Sequence, residues 1–358
     1  MRKMSRVNPK QMALIDGTAI FPSTRYQGSK QKIVSWIWES IKDIQFHTAL
    51  DAFGGTGCVS YMFKQKGKQI AYNDILKFNW LIGLALIEND FVTLTSEYTE
   101  FLVTRHKKIE YPTFVQDTFK DIYFTNEENR WIDTVVTNIG QLENLYKRAL
   151  AYYALFQSCI IKRPFNLFHR KNLYMRLSTV KRNFGNKTTW DTPFETHFRK
   201  FVAEANQAIF SNGLENKALN LNVFDIDQDF DLVYVDTPYI SKKGVGVDYY
   251  GFYHFLEGLV QYSQWEDMID YRTKHKRLKA SENPWIDKNR IHFSFERLIK
   301  KFTDSVLVIS YRSDGIPSIE YLVNLLGKYK STVKQLKWRN YKYVLSNNHS
   351  EEVLLIGK

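Results

Sequence analysis

Four consecutive residues, Asp236-Thr237-Pro238-Tyr239, place an acid, a rigid turn and an aromatic ring directly after a short apolar run. The Asp236 carboxylate can accept a hydrogen bond from an exocyclic amine, and the carbonyl of Thr237 can accept a second. Tyr239 offers a ring face on which a planar base can stack. Asp and Pro are also common in plain turns. The tetrapeptide alone therefore leaves a base-binding site and an ordinary turn both open.

A glycine-rich stretch, Asp51-Ala-Phe-Gly-Gly-Thr-Gly57, forms a second candidate site. An apolar run precedes it and a helical pattern follows, so we predict a strand, a glycine-rich turn and a helix. Glycines in such a turn let the backbone approach a nucleoside-like ligand. The Gly-Lys-Ser/Thr ending of a phosphate-binding loop is missing, which argues against ATP or GTP hydrolysis. Asp74, at the end of a second predicted strand over residues 68–75, is suited to receive ribose hydroxyls.

A third stretch, Arg25-Tyr-Gln-Gly-Ser-Lys30, is a polar turn that feeds a predicted helix. Backbone N–H groups at a helix start, together with the Lys30 ammonium, can dock a carboxylate. An ordinary helix start with a solvated lysine is the alternative.

The elements that must position these groups are strands covered by helices. Residues 232–235 are apolar or aromatic, which is typical of a strand buried on both faces. Ligands of open α/β sheets bind outside the carboxyl ends of the strands, where Asp236 and the glycine-rich turn both fall. Further strands are predicted at 219–224, 305–311, 332–338 and 352–357.

A basic tract separates the two halves of the predicted sheet. Between Ile160 and Trp190 the sequence has eight Lys or Arg residues and no acid. Aromatic and Asn residues interleave with them, which combines phosphate contacts, stacking faces and amides that can read base edges. A solvated basic face is the alternative. The formal net charge of +12 is compatible with nucleic acid, and residues 272–279 form a second basic cluster.

Composition limits the number of domains, the location of the protein and the kinds of site that it can contain. At 358 residues and 44% apolar content, the chain is long enough for one large or two medium domains. No apolar run approaches the ~18 residues of a membrane span, and the basic start lacks a signal-peptide core, so we expect a cytoplasmic protein without a membrane partner. Cys58 and Cys159 are expected to be buried, reduced thiols. The spacing of the His residues predicts no metal site.

These motifs, in this order, resemble the Dam-type family of adenine-specific DNA methyltransferases, particularly those of type II restriction-modification systems. The matching stretches are Arg25 to Lys30, Asp51 to Gly57, Asn73-Asp74 and the tetrapeptide. The resemblance implies an α/β fold: a Rossmann-like S-adenosylmethionine-dependent methyltransferase sheet with an inserted, largely helical target-recognition region. Residues 1–90 and 210–358 would form the catalytic domain, and 91–209 the target-recognition region.

The resemblance also implies an activity, a cofactor and partners. A methyl group would move from S-adenosylmethionine to the exocyclic amino group of a flipped adenine in double-stranded DNA. We expect a monomer, with any cognate restriction endonuclease acting separately on the same site. Asp236 and the Thr237 carbonyl would grip the target amine, with Tyr239 stacked on the adenine.

Residue roles follow from the matched positions. Catalytic residues would be Asp236, Thr237, Pro238 and Tyr239. Cofactor contacts would come from Tyr26, Gly28, Lys30, Asp51, Phe53, Gly55, Gly57, Asp74 and Asn222, with Lys30 near the cofactor carboxylate. DNA contacts are expected at Arg163, Asn166, His169, Arg170, Lys171, Arg176, Arg182 and Lys187.

Two departures from the family pattern keep alternatives open. Thr237 replaces the first Pro of the family's Asp-Pro-Pro-Tyr, and Val223 stands where the third-strand motif has an acid, with Asn222 as a substitute. Methylation of a cytosine or RNA amine is one alternative, and a non-catalytic DNA-binding protein on a methyltransferase scaffold is another. A nicotinamide oxidoreductase would leave the basic tract without a role.

Overall fold

The strand predicted before Asp236 lies at the centre of a seven-stranded sheet in the computed structural model, which describes residues 19–178, 187–338 and 350–358. The strands of this sheet are β1 (Thr48–Asp51), β2 (Gln69–Asn73), β3 (Lys217–Leu219), β4 (Leu232–Val235), β6 (Val306–Arg312), β8 (Val333–Trp338) and β9 (Glu352–Gly357). A separate two-stranded sheet pairs β5 (Ile240–Ser241) with β7 (Gly315–Ile316).

The strand order is β3-β2-β1-β4-β6-β9-β8. Strands β1, β2, β3, β4 and β6 are parallel, whereas β9 runs antiparallel between β6 and β8. The strand order reverses between β1 and β4, which lie side by side with Leu50 opposite Val233. The carboxyl ends of these two strands therefore flank the crevice where such sheets bind ligands. The Rossmann-like α/β prediction is confirmed.

Side chains alternate between the two faces of the sheet, as the strand period of two requires. On β4, Leu232 and Tyr234 point into one apolar core, and Val233 and Val235 into another. All four are at most 1% exposed. Burial on both faces explains the uninterrupted apolar run that precedes Asp236.

Helices cover both faces of the sheet. The first core is covered by α1 (Val34–Ile41), α2 (Cys58–Gln65) and α3 (Lys77–Gly83), and the second by α14 (Ile291–Lys301) and α15 (Ile319–Leu326). Between β2 and β3 the chain adds α4 (Ser96–Val103), α5 (Phe114–Thr118), α6 (Asn126–Gly140), α7 (Leu145–Ile161), α8 (Leu173–Leu177), α9 (Lys187–Asp191) and α10 (Phe194–Ala208). After β5 come α11 (Tyr249–Phe252), α12 (His254–Val260) and α13 (Trp265–Met268). Of the described helices, none combines the length and the apolar character needed to cross a bilayer.

One predicted strand is wrong. The strand expected at 219–224 ends at Leu219, and a short 3-10 helix, Val223–Asp225, follows. The asparagine side chains explain the difference because they bond to nearby backbone and divert it from sheet pairing. Asn220 Nδ2 donates to the carbonyl of Asp74 at 2.8 Å, and Asn222 Oδ1 accepts from Phe224 N at 3.1 Å. The other predicted strands are confirmed, and both cysteines are free and buried.

Candidate active site

A cavity of about 280 Å³ opens at the carboxyl ends of β1, β2 and β4. It brings together three of the stretches singled out in the sequence: the turn before Lys30, the glycine-rich turn after Asp51, and the tetrapeptide at Asp236. Among the predicted site residues its walls contain Tyr26, Gly28, Lys30, Asp51, Phe53, Gly55, Asp74, Asn222, Asp236 and Pro238. One cavity therefore joins the predicted cofactor site to the predicted catalytic acid.

The glycine-rich turn needs its glycines for two different reasons. Gly57 has a φ of +75° where α2 begins, a left-handed conformation that disfavours a side chain. A Cβ on Gly54 would collide with the Tyr72 ring, which packs directly beneath the turn. The Tyr72 hydroxyl donates to the carbonyl of Gly55 at 2.7 Å and fixes the turn from below. The backbone is thus held against the cavity wall.

Asp74 and Asp51 present carboxylates to this cavity. Asp74 accepts from Gly55 N at 2.9 Å and from Asn79 Nδ2 at 3.0 Å, and burial raises its pKa to about 6. Asp51 is 1% exposed, and its Oδ2 accepts from Ser60 Oγ at 2.7 Å. Its Oδ1 is buried and has no partner among the described residues. Burial, opposed by the Ser60 hydrogen bond and reinforced by Asp236, raises the pKa of Asp51 to about 7.

Aromatic rings form another part of the wall. Tyr26 stacks on Tyr253 with centroids 4.5 Å apart and on Tyr249 at 5.6 Å. Gly28 has a φ of +83°, and the Tyr249 hydroxyl lies where a side chain would begin. Phe53 packs edge-on against Trp285 at 4.9 Å. Asn222 also faces the cavity, although its Oδ1 is engaged with Phe224 N.

The Asp236 carboxylate belongs to a buried ionic network. Lys30 Nζ lies 2.9 Å from Asp236 Oδ1 and 3.5 Å from Glu352 Oε1. It also donates to the Tyr239 hydroxyl at 2.5 Å, and that hydroxyl lies 2.8 Å from Asp236 Oδ1 and 2.9 Å from Glu352 Oε1. Ser310 Oγ donates to Glu352 Oε1 at 2.5 Å. Burial, opposed by Lys30 and reinforced by Glu352, raises the pKa of Asp236 to about 6.

Lys30 and Tyr239 do not occupy the positions that their predicted roles require. Lys30 was expected beside a cofactor carboxylate, but its ammonium bonds to the tetrapeptide because two protein carboxylates draw it inward. Tyr239 was expected to offer a stacking face, but it is 5% exposed and is absent from the cavity wall. Its ring packs edge-on against Tyr311 at 5.1 Å while its hydroxyl enters the Lys30 network. Thr237 is likewise buried and is absent from the cavity wall.

Comparison with known proteins agrees with this geometry. Residues 26–259 match the family model described as D12 class N6 adenine-specific DNA methyltransferase. The chain belongs to this family. The matched range includes the turn before Lys30, the glycine-rich turn, Asp74 and the tetrapeptide, so most of the cavity wall of the methyltransferase comes from the region that defines the family.

Individual relatives are similar over nearly all of the methyltransferase. The type II methyltransferase M2.HphI of Haemophilus parahaemolyticus is 30% identical, over 94% of this chain and 98% of the relative. The type II methyltransferase M.NlaIII of Neisseria lactamica is 22% identical, over 91% of this chain and 95% of the relative. The modification methylase StsI of Streptococcus sanguinis is 26% identical, but this chain spans only 51% of its length.

Part of the basic tract of the methyltransferase is structural, which corrects the prediction for Arg163 and Arg176. Arg163 is 1% exposed, and its guanidinium donates to the carbonyls of Leu167 at 3.1 Å and Arg170 at 3.0 Å. Arg176 is 4% exposed and bonds to both carboxylate oxygens of Glu128 at 2.6 and 2.8 Å. Burial lowers the pKa of Arg163 to about 9. These two cations hold the region together, and their guanidinium groups are not exposed at the surface of the described structure.

Other members of the tract are placed at the surface. Arg170, Lys171 and Lys187 are exposed, with Lys187 Nζ 3.2 Å from Asp191. Asn166 and His169 are partly exposed, and burial together with Arg170 lowers the pKa of His169 to about 4. Arg182 lies outside the described residues. The exposed rings of Phe165 and Tyr174 lie in the same stretch, at 53% and 69% exposure.

Sequence reasoning missed two groups at this site. Glu352 enters the Lys30 network from β9, and the only hint was an acid at the start of an otherwise apolar strand. Trp285, with the neighbouring residues 281–284, lines the cavity from the chain between α13 and α14. That segment had no motif or periodicity to mark it.

Proposed function

We propose that this methyltransferase moves a methyl group from S-adenosylmethionine to the exocyclic amine of an adenine flipped out of double-stranded DNA, within a restriction-modification system. The single observation that carries the proposal is the shared cavity. The glycine-rich turn, Asp74 and Asp236 all contribute to its wall. Cofactor and target base can thus meet without leaving the protein interior.

The residues of the cavity fit S-adenosylmethionine, which supplies an electrophilic methyl group when bound. The unpartnered, buried Oδ1 of Asp51 is an acceptor suited to the ammonium group of the cofactor. Asp74 would take the ribose hydroxyls, and the backbone from Phe53 to Gly57 would lie along the ligand. Tyr26, Gly28 and Asn222 would complete the wall.

Asp236 and Thr237 would act on the target amine. The amino nitrogen of adenine is a poor nucleophile because its lone pair is delocalised into the ring. Hydrogen bonds that the amine donates to the Asp236 carboxylate and the Thr237 carbonyl would orient the lone pair and stabilise positive charge as it develops on nitrogen. Pro238 fixes the turn that aims these acceptors. Tyr239 and Lys30 would hold the Asp236 carboxylate in position.

We further propose that residues 91–209 recognise the target duplex, and residues 1–90 and 210–358 catalyse the transfer. Arg170, Lys171 and Lys187 would contact phosphates, and the partly exposed Asn166 and His169 would assist. A monomer suffices because one adenine on each strand needs one active site. A cognate endonuclease would act separately on the same site.

Transfer of a labelled methyl group to unmethylated plasmid DNA tests the proposal. Digestion to nucleosides identifies the modified base, and N6-methyladenine is the expected product. Label on cytosine would contradict the assignment of the base, and cofactor binding without transfer would favour a non-catalytic scaffold.

A further inference from the structure

The second basic cluster of the sequence lies on a hairpin that the proposed function has not used. Residues 269–279, here called the basic hairpin, carry five cations and one acid. Ile269 pairs with Leu278 in an antiparallel bridge, and Asp270 N donates to the carbonyl of Arg277 at 2.8 Å. The Thr273 hydroxyl donates to the carbonyl of Asp270 at 2.9 Å. These bonds hold the loop in one conformation, which reduces the entropy cost of binding a partner.

The basic hairpin meets the basic tract at a single buried hydroxyl. The Tyr123 hydroxyl lies 2.6 Å from the carbonyl oxygen of Phe168 and 2.8 Å from that of His275. His254 packs against the same point, with its Nε2 2.7 Å from the Tyr123 hydroxyl. The two loops are therefore immediate neighbours. Arg170 follows Phe168 by two residues.

A second hydrogen bond of Phe168 connects this junction to the wall of the cavity. Tyr249 and Tyr250, at the start of α11, line the cavity. At the end of α11, the Phe252 carbonyl accepts from Phe168 N at 2.9 Å. A helix of four residues spans about 6 Å. The junction of the two loops thus lies next to residues of the cavity wall.

Positive charge at the hairpin concentrates near its tip. Asp270 pairs with Arg272 at 2.8 Å and with Arg277 at 3.6 Å, which neutralises part of their charge. Lys274 is exposed, and Lys276 Nζ lies 4.6 Å from the centre of the Tyr271 ring. These two lysines flank His275.

Two histidines and two acids lie around the tip and the base of the hairpin. Burial and the nearby Arg277 lower the pKa of His275. Burial and His275 lower the pKa of His254 to about 3. The acids Glu266 and Asp267 precede the hairpin on α13 and lie beside its base, where the Lys279 ammonium donates to the Asp267 carbonyl at 2.6 Å.

We propose that the basic hairpin is a second DNA-backbone contact, in which Lys274 and Lys276 bind phosphates of the duplex beside the flipped adenine. The proposal rests on the proposed function for the identity of the partner. A duplex carries one phosphate charge for about every 1.7 Å of its axis, so two adjacent basic loops can engage consecutive phosphates. Such contacts help to offset the cost of extruding a base.

The test is the salt dependence of DNA binding by the full chain. Binding of a short fluorescent duplex is measured between about 50 and 200 mM NaCl for the wild type and for K274Q/K276Q. Loss of two phosphate contacts should reduce the slope of log K against log salt by about 2 and weaken binding about tenfold or more. Affinity for S-adenosylmethionine and the melting temperature should not change, since both side chains lie outside the core and the cavity.

A matched control comes from the chain that leads into the amino end of β6, whereas the cavity lies at the carboxyl ends of the parallel strands. Lys300 and Lys301 are exposed at the end of α14, just before β6 begins, so K300Q/K301Q should retain the wild-type slope. A wild-type slope in K274Q/K276Q would overturn the hairpin proposal, as would an equal reduction of the slope in the control. Methyl transfer by the wild type is measured in parallel. DNA binding without methyl transfer would contradict the proposed function but not the hairpin proposal.

Discussion

The Lys30 ammonium lies 2.9 Å from Asp236 Oδ1, and both groups are largely removed from solvent. Glu352 shares the same ammonium at 3.5 Å, so one buried cation serves two carboxylates. The attraction of Lys30 and the repulsion of Glu352 act in opposite directions on the proton affinity of Asp236. The charge of the proposed catalytic acid therefore depends on residues from both ends of the chain.

This network predicts opposite pH shifts for two variants. The Asp236 carboxylate must be ionised to accept from the amine, so transfer should fall as pH drops through about 6, the pKa of Asp236. Glu352→Gln removes a charge that raises this pKa, so the acidic limb should move to lower pH. Lys30→Met removes a charge that lowers it, so the limb should move to higher pH. Single-turnover transfer rates measured as a function of pH check both predicted shifts.

The neighbouring acid provides the control. Glu351 is partly exposed and lies 3.7 Å from Lys337, away from the network, so Glu351→Gln should keep the wild-type profile. Shifts of the same sign in Glu352→Gln and Lys30→Met would show that the network does not set the proton affinity of Asp236.

Asp51 predicts a separate pH dependence, in cofactor binding. Its pKa of about 7 means that protonation competes with binding of the cofactor's ammonium group as pH falls through neutrality. Calorimetric affinity for S-adenosylmethionine should thus weaken below about pH 7. Asp51→Asn should lose about 10–100-fold in affinity at pH 8 and lose the change in affinity near pH 7, which leaves only the effect of Asp74 near pH 6. The exposed Asp229→Asn should behave as wild type. An Asp51→Asn protein that keeps the wild-type pH dependence would rule out this role.

The sequence predicts the sheet well because β4 and its neighbours are apolar runs whose ends carry the motifs. Two kinds of feature cannot be predicted from such patterns. The first is an ion pair between residues that are far apart in the chain: Glu352 lies beside Lys30 only because of the order of the strands. The second is the burial of a charged side chain, which the sequence does not indicate. Arg163 and the exposed Arg170 look alike in the sequence, and only packing around Tyr123 separates them, with the Arg163 guanidinium 4.3 Å from that ring.

This difference predicts contrasting effects for the two arginines. Arg163→Met leaves the carbonyls of Leu167 and Arg170 without their donor, so the free energy of unfolding should fall by about 2–4 kcal/mol. Arg170→Met should leave the melting temperature unchanged and reduce the salt slope of DNA binding by about 0.9. Thermal unfolding and duplex binding are measured on both proteins. Wild-type stability in Arg163→Met would contradict the structural role of this guanidinium.

Removal of the Asp236 carboxylate should separate chemistry from cofactor binding. Asp236→Ala deletes an acceptor that we place on the target amine, so transfer should fall by at least about 100-fold. Cofactor affinity should change little, because the cofactor contacts that we propose, Asp51, Asp74 and the glycine-rich turn, are all retained in this variant. Glu352 still pairs with Lys30 in this variant, which limits the cost of an unpaired buried cation. Transfer is followed with labelled S-adenosylmethionine and affinity by calorimetry. Equal losses in the transfer rate and in cofactor affinity would assign Asp236 to cofactor binding. An unchanged transfer rate would show that Asp236 does not take part in the reaction.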